Sequence, residues 1–223
     1  MPRDNQADRK RLQSLLTEGL FSALHRDPVP AETAKFETYL RLFLQWNRVH
    51  RFTAYRRPEE IVTKLLLDSL LFLKVLPSTA LRVLDFGTGA GIPGIPLKIV
   101  LPQIALTMLE ARRRQSSFLA VLLRELGLKG VSIIRERAEQ VLVERPELEE
   151  AFEAVVMRSA GPLGTVIPVA LRFLEPGGIC IVSGPPAGKT SRFVVEGALA
   201  RWQSVPSPFT RVSRQFLAVQ KIR

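Results

Sequence analysis

Apolar residues recur at helical spacing in three stretches of the first third of the chain. These stretches cover about residues 9–27, 32–49 and 58–77. The proline at position 58 suits the first turn of a helix, and Pro77 ends the third stretch because proline cannot continue a helix. The pattern predicts an all-helical N-terminal region, residues 1–77.

After residue 77, short apolar runs alternate with helical patterns. The runs predict strands over residues 82–86, 105–110, 131–135, 154–158 and 178–183, and the stretches between them predict helices over residues 93–100, 113–126, 139–143 and 164–174. Two more strands, about 202–205 and 214–220, would close the sheet antiparallel at its edge. Such alternation is typical of a parallel sheet with helices on both faces. We therefore predict an α/β protein with a Rossmann-like sheet over residues 78–223.

Basic residues outnumber acidic residues in this chain of 223 residues. There are 32 Lys and Arg against 21 Asp and Glu, which gives a formal net charge of +11. This excess favours a polyanionic partner, because cations on a protein displace the counterions of nucleic acid. A generally basic surface without a specific partner would give the same balance, so charge alone does not decide between them.

Cysteine, histidine and long apolar runs are scarce. The single cysteine, Cys180, excludes an internal disulfide framework, and the two histidines, His25 and His50, are too few for an ordinary zinc site. Cys180 lies in a predicted strand and is interpreted as a core residue. No apolar run approaches the roughly 18 residues of a membrane helix, and the polar start lacks the apolar stretch of a signal peptide. We expect a cytoplasmic protein without a metal centre.

A glycine-rich turn follows the first predicted strand. Glycines at 87, 89 and 91 let the backbone pass close to a ligand, although tight turns also use glycine for packing alone. Their spacing, Gly-x-Gly-x-Gly, differs from the dinucleotide fingerprint Gly-x-Gly-x-x-Gly. Asp85 precedes Gly87, Gly89 and Gly91, where its carboxylate could bind the ammonium of an amino-acid moiety directly or through water. These features favour S-adenosylmethionine over NAD.

Acidic residues at the ends of the next two strands extend the predicted cofactor site. Glu110 could accept hydrogen bonds from both ribose hydroxyls. After the third strand, Ala138 offers a small side chain against an adenine plane, and Glu139 a carboxylate near its amino group. Taken alone, Glu110 is better explained as a helix-capping or solvated carboxylate, and Ala138 and Glu139 as an ordinary helix start; the preceding glycine turn favours the cofactor site.

Residues 184–190 form a competing motif that resembles a phosphate-binding P-loop. The segment Gly184-Pro-Pro-Ala-Gly-Lys-Thr190 follows a strand, but it has three residues before Gly-Lys where a P-loop has four. Too little chain follows Thr190 for the rest of a nucleotide-hydrolysing domain. We interpret the segment as a basic surface loop and keep a P-loop hydrolase as an alternative.

The stretch from Asp85 to Leu97 carries a specific resemblance, because Gly-x-Pro-Gly-x-Pro-Leu after the glycine turn is not a general methyltransferase feature. It resembles the small-subunit ribosomal RNA methyltransferase G family, also called glucose-inhibited division protein B. The resemblance extends from the predicted second helix nearly to the C-terminus. Supporting matches are Trp46-Asn47, Thr53, Leu67-Asp68-Ser69, Phe118-Leu119, Arg137-Ala138-Glu139 and Arg158.

This resemblance implies a class I methyltransferase that methylates N7 of a guanine in 16S ribosomal RNA, in a loop near the decoding centre. By position, it implies cofactor contacts at Gly87, Ile92, Ala138, Glu139 and Arg158. Three positions depart from the family. Arg51 stands where asparagine is common, Leu65 where histidine is common, and Ser183-Gly184 where the family has Lys-Gly. That lysine lies near the implied RNA pocket, and Lys189 is a candidate substitute.

The implied reaction needs little chemistry from the protein. Guanine N7 carries a free lone pair, so no residue is predicted to act as an acid or base, and rate should come from positioning. Arg158 is predicted to contribute electrostatically, because it ends a strand at the carboxyl edge of the sheet, where ligands bind. Trp46 and Phe52 are interpreted as core. Candidate RNA-binding residues are Arg51, Arg56, Arg57, Arg112, Arg113, Arg114 and Lys189.

The expected partner is 16S ribosomal RNA or the small ribosomal subunit, bound by a monomer without a membrane or metal. A non-catalytic RNA-binding protein with the same fold remains an alternative, and S-adenosylmethionine binding would distinguish the two.

Overall fold

Helical segments form the N-terminal part of the computed structural model, which describes residues 6–186, 193–210 and 212–222. Helix α1 spans Gln6–Leu24 and α2 spans Pro30–His50. None of the helices among the described residues is long and apolar enough to cross a membrane.

The third helical segment is not the continuous α-helix that its spacing predicts. It begins as the short helix α3, Pro58–Ile61, continues as a π-helix over Val62–Leu67, and ends as a 3-10 helix over Leu70–Lys74. Nearly every apolar residue of the segment is buried, so packing on several sides fixes its path. A π-turn is frequent at functional sites, and here the carbonyl of Lys64 accepts a hydrogen bond from Arg158.

A seven-stranded sheet in the order β3-β2-β1-β4-β5-β7-β6 follows these helices. The strands are β1 Arg82–Phe86, β2 Ala105–Leu109, β3 Val131–Ile134, β4 Phe152–Arg158, β5 Leu174–Pro186, β6 Ala198–Val205 and β7 Arg214–Lys221. The first five are parallel, and β7 pairs antiparallel with β5 and β6. The predicted parallel sheet with an antiparallel edge is therefore confirmed, with β5 and β6 starting four residues earlier than expected.

Helices cover both faces of the sheet, as predicted. The connecting helices are α4 Gly94–Val100, α5 Arg113–Leu126, α6 Ala138–Glu144 and α7 Leu163–Phe173. Neighbouring residues of β1 point into different apolar clusters: Val83 packs with residues of α1, α2, α4 and α5, and Leu84 with residues of α6 and α7. The N-terminal helices thus pack in one core with the sheet.

The strand order places a crevice at the carboxyl ends of β1 and β4. Strand β1 lies between β2 and β4, so the chain winds away from β1 in opposite directions on its two sides. In open α/β sheets, ligands bind at such a reversal point. The glycine turn leaves β1 at this crevice.

Candidate functional site

The glycine turn after β1 needs glycine for reasons that differ by position. Gly87, Gly89 and Gly91 have φ angles of 68°, 61° and 89°, which L side chains rarely adopt. A Cβ atom on Gly91 would lie 2.7 Å from Ile95 Cγ1, in the core. One on Gly87 would lie 3.0 Å from Ala160 Cβ, at the crevice. Gly91 therefore serves packing, whereas Gly87 and Gly89 line the open side of the turn.

Asp85 fixes the glycine turn through two hydrogen bonds. Its carboxylate is fully buried, and Oδ2 accepts hydrogen bonds from the Thr88 hydroxyl at 2.6 Å and the Gly94 N–H at 2.7 Å. Burial raises the pKa of Asp85 to about 7. Oδ1 has no hydrogen-bond partner among the described residues. The predicted ammonium contact therefore has only this buried oxygen available, and direct access from the surface is closed in this structure.

Glu110 stands at the end of β2 with its carboxylate turned under the glycine turn. Oε2 accepts the Gly89 N–H at 2.8 Å, and Oε1 accepts the Arg112 N–H at 2.9 Å. The Arg112 side chain adds Nε at 2.9 Å to Oε1 and Nη2 at 3.4 Å to Oε2. Glu110 is only 4% exposed. These bonds fix its carboxylate beside Gly89.

A first cavity, the Glu110 cavity, has a volume of about 370 Å³. It brings together four of the nine residues that were predicted to hold a cofactor, Gly87, Glu110, Ala138 and Glu139, because the ends of β1, β2 and β3 meet there. Ala138 and Glu139 enter it from the first turn of α6. Its walls include Gly87, Glu110, Arg112, Ala138, Glu139 and Ala160.

A second cavity, the Thr53 cavity, has a volume of about 400 Å³ and shares Gly87, Arg112 and Ser159 with the first. It lies between the glycine turn and the loop after α2. Predicted site residues Ile92 and Arg158 line it. The other residues that matter here are Phe52, Thr53, Tyr55 and Leu65.

A third cavity, the Ser183 cavity, has a volume of about 450 Å³ and shares Tyr55, Arg158 and Ser159 with the Thr53 cavity. Ser183 and Gly184, at the end of β5, form one wall. Because each cavity shares walls with the next, the three form one trough along the carboxyl edge of the sheet. A further cavity of about 480 Å³ lies elsewhere, between α1 and β6, and its lining contains none of the predicted site residues.

Arg158 is held by an ion cluster around the buried Asp68, at the boundary of the Thr53 and Ser183 cavities. Asp68 Oδ2 lies 2.7 Å from Arg158 Nη1, and Asp68 Oδ1 lies 2.8 Å from Arg214 Nη2. The side chains are 14%, 3% and 15% exposed for Arg158, Asp68 and Arg214. Burial lowers the pKa of Arg158, and Asp68 opposes that shift. One carboxylate balances two guanidinium groups, so the cluster is positive.

Sequence reasoning missed Arg214, and it placed Phe52 wholly in the core. Arg214 begins β7, where the sequence pattern marks only an edge strand. Only the fold brings it to Asp68, so no local signal could have found it. Phe52 packs against Phe43 and Phe118, as a core residue would, but it also lines the Thr53 cavity. Trp46 packs against the same Phe118.

Among the predicted RNA-binding arginines, Arg112 lines the trough, and Arg51 and Arg56 are next in the chain to the lining residues Phe52 and Tyr55. Arg112 caps α5, and Arg113 and Arg114 form its first turn; all three are exposed. Arg51 caps α2, and Arg56 and Arg57 precede α3, all three also exposed. Lys189 lies outside the described residues. Within the described ranges, no group of three or more His, Cys, Asp or Glu side chains could bind a metal ion.

The competing P-loop does not leave the sheet where such a loop must. Strand β5 continues through Gly184 to Pro186, and Pro186 is in register with Arg214 of β7. A phosphate-binding loop would have to begin at Gly184, so the P-loop interpretation is not favoured. Its remaining residues, 187–190, lie outside the described part of the chain.

Comparison with known proteins gives one consistent family. A family model described as "rRNA small subunit methyltransferase G" matches residues 32–184. A relative of that name from Caldanaerobacter subterraneus is 41% identical over 148 residues, which cover 64% of this chain and 60% of the relative. Another, from Alkaliphilus oremlandii, is 31% identical over 221 residues, covering 95% of this chain and 91% of the relative.

Solved structures of similar shape support the fold. A putative O-methyltransferase from Klebsiella pneumoniae has a TM-score of 0.60 at 18% identity, covering 96% of this chain and all of that one. The cofactor-bound protein Rv0187 from MTB has a TM-score of 0.61 at 18% identity, with both chains fully covered. At this identity the likeness establishes a methyltransferase-type fold and no more.

Proposed function

We propose that this chain, which belongs to the rRNA small subunit methyltransferase G family, transfers a methyl group from S-adenosylmethionine to N7 of one guanine in 16S ribosomal RNA near the decoding centre. The observation that carries the proposal is the continuous trough. One end has the shape and polar groups for a nucleoside cofactor, and the rest is lined by arginines. We further propose that the protein acts as a monomer in the cytoplasm.

The Glu110 cavity fits the cofactor on three observations. Its volume lies in the range of small-molecule sites. Gly87 lacks the Cβ that would reach Ala160 and narrow the entrance. Glu110 presents a carboxylate that can accept two hydroxyl donors, as a ribose requires, once the Arg112 side chain turns away from it, and Ala138 leaves room for a flat base beside it. Gly89 and Ile92 continue the proposed site toward the Thr53 cavity.

In the proposed reaction, the protein holds the guanine so that N7 is in line with the methyl carbon and the sulfur of the cofactor. Bound S-adenosylmethionine would supply a methyl group on a positively charged sulfur, which leaves as a neutral thioether. The N7 lone pair forms the new bond, so no side chain has to remove a proton. Arg158 is fixed by Asp68 and the Lys64 carbonyl, and its remaining N–H groups are available to orient the substrate.

The Ser183 cavity keeps a cation although serine stands where the family resemblance implies a lysine. Arg214 lines the cavity, and its Nη1 donates to the Gly184 carbonyl at 3.3 Å. We propose that Arg214 supplies the positive charge that Ser183 cannot. The exposed arginines Arg51, Arg56, Arg57, Arg113 and Arg114 would then bind phosphates around the guanine.

Methyl transfer from labelled S-adenosylmethionine to small ribosomal subunits that lack the modification tests this function. We expect incorporation at one guanine, mapped as 7-methylguanine by strand cleavage. The matched control is the Arg158→Ala variant, which should keep its melting temperature within a few degrees but lose most incorporation. RNA binding without incorporation by the unaltered protein, with cofactor bound, would instead indicate a different target or a non-catalytic RNA-binding protein.

A further inference from the structure

The Glu110 carboxylate has all of its acceptor sites filled by the chain itself. A carboxylate offers about four lone-pair sites. The backbone N–H groups of Gly89 and Arg112 occupy two of them, and Nε and Nη2 of the Arg112 side chain occupy the other two. The backbone donors belong to the glycine turn and the start of α5. The Arg112 side chain is 67% exposed and can turn away.

We propose that the Arg112 guanidinium occupies the place of the cofactor's ribose hydroxyls, and that cofactor binding releases it to bind an RNA phosphate. This inference rests on the proposed function. A ribose diol donates two hydrogen bonds, as many as the Arg112 side chain gives to Glu110. The two hydroxyl hydrogen bonds would therefore replace the two bonds from the Arg112 side chain, and the two backbone bonds would stay in place.

The position of Arg112 gives this exchange a consequence for RNA. Arg112 lines both the Glu110 cavity and the Thr53 cavity, and Arg113 and Arg114 follow it on the exposed first turn of α5. While it pairs with Glu110, its charge is balanced by the carboxylate. Once released, it adds one full positive charge at the edge of the Thr53 cavity, beside the proposed cofactor site. Cofactor and RNA therefore strengthen each other's binding by the same factor.

The cost of the exchange is limited because the Arg112 side chain is mostly in water, and the buried Glu110 carboxylate keeps its two backbone donors when that side chain leaves. Pairs with an exposed cation stabilise proteins only weakly, so displacing Arg112 should reduce cofactor affinity by at most about fivefold. The benefit is one added phosphate contact, which steepens the salt dependence of single-stranded RNA binding by about 0.7 in log K per log salt.

The experiment measures both ligands on the full chain. S-Adenosylhomocysteine, the cofactor without its methyl group, is titrated by calorimetry. Binding of an unmodified 16S ribosomal RNA transcript is then measured with and without a saturating amount of it, at several salt concentrations. We expect S-adenosylhomocysteine to tighten RNA binding by about threefold to tenfold in the unaltered protein.

Two variants separate the proposed exchange from general electrostatics. Arg112→Ala should bind S-adenosylhomocysteine as tightly as the unaltered protein or up to about fivefold more tightly, with RNA affinity independent of that ligand. Arg113→Ala is the matched control, because its guanidinium is not a Glu110 donor in the described part of the chain. It should weaken RNA binding equally in both conditions and keep the tightening.

The outcomes are distinguishable from a failure of the proposed function. If the unaltered protein methylates its RNA without any tightening, or if Arg112→Ala keeps the full tightening, the exchange at Arg112 is wrong and the methyltransferase assignment stands. If the unaltered protein does not bind S-adenosylhomocysteine at all, both the exchange and the proposed function are wrong.

Discussion

Glycines 87 and 127 share a backbone conformation but differ in what surrounds them. Both have positive φ, 68° and 59°. A Cβ on Gly87 would meet Ala160 at the wall of the Glu110 cavity, whereas one on Gly127 would meet nothing described within 4 Å. Gly127 only ends α5, as left-handed glycines commonly do. At the residue scale, the same geometric demand thus serves a binding surface in one place and a helix end in another.

This pair gives a controlled test of the cofactor site. Gly87→Ala should weaken S-adenosylmethionine binding by roughly tenfold or more, because the methyl group narrows the cavity and strains the turn. Each substitution should lower the free energy of unfolding by about 1 kcal/mol, because alanine is strained at a positive φ. Gly127→Ala should leave the cofactor affinity unchanged. Calorimetric titration and urea unfolding of both variants measure the two effects. If the two variants bound the cofactor with equal affinity, the cofactor site would not lie at Gly87.

At the scale of elements, Asp68 connects three parts of the fold. It lies directly after the π-helix, and its two oxygens hold Arg158 at the end of β4 and Arg214 at the start of β7. Removing one arginine leaves Asp68 paired with the other. Removing the Asp68 charge leaves two partly buried guanidinium groups without a counter-charge, which is the costlier change.

Asp68→Asn should therefore destabilise the protein by about 3–5 kcal/mol. Arg158→Ala should cost clearly less. Urea unfolding at pH 7 measures both. Glu60→Gln is the control within the same helical segment, since Glu60 pairs with Lys64 at the surface, and its removal should leave the unfolding midpoint nearly unchanged. If Asp68→Asn matched this control, the cluster would contribute nothing to stability.

The elements also show which features a sequence can predict. Strand alternation and helical spacing predicted the parallel sheet, its antiparallel edge and the glycine turn, because these depend on local period and composition. The π-turn over Val62–Leu67 escaped prediction because it depends on burial from several sides. The contacts of Arg214 with Asp68 and of Arg112 with Glu110 escaped it too, since a side chain's partner depends on tertiary position or rotamer rather than on pattern.

At the scale of the whole molecule, the buried carboxyl group under the proposed cofactor site makes the stability of the protein depend on pH. Asp85 lies under the glycine turn with one oxygen unpartnered among the described residues, and burial raises its pKa to about 7 from an ordinary 3.8. In the folded protein, the Asp85 carboxyl group therefore stays protonated up to a higher pH than in the unfolded chain. The stability that Asp85 contributes is complete below about pH 3.8, and it is lost as the pH rises until the group ionises in the folded protein near pH 7.

Replacing this carboxyl group should therefore change how global stability depends on pH. Asp85→Asn cannot ionise, and its side-chain oxygen can still accept the Thr88 and Gly94 hydrogen bonds. Between pH 5 and pH 6, the free energy of unfolding of the unaltered protein should fall relative to that of the variant by roughly 1.4 kcal/mol per pH unit, and the fall should level off above about pH 7. Urea unfolding of both proteins at pH 5, 6, 7 and 8 measures this difference, which cancels the other titrating groups. A difference that stayed constant across that range would show that Asp85 is ionised throughout. The crevice would then be carrying a buried charge rather than a neutral acid.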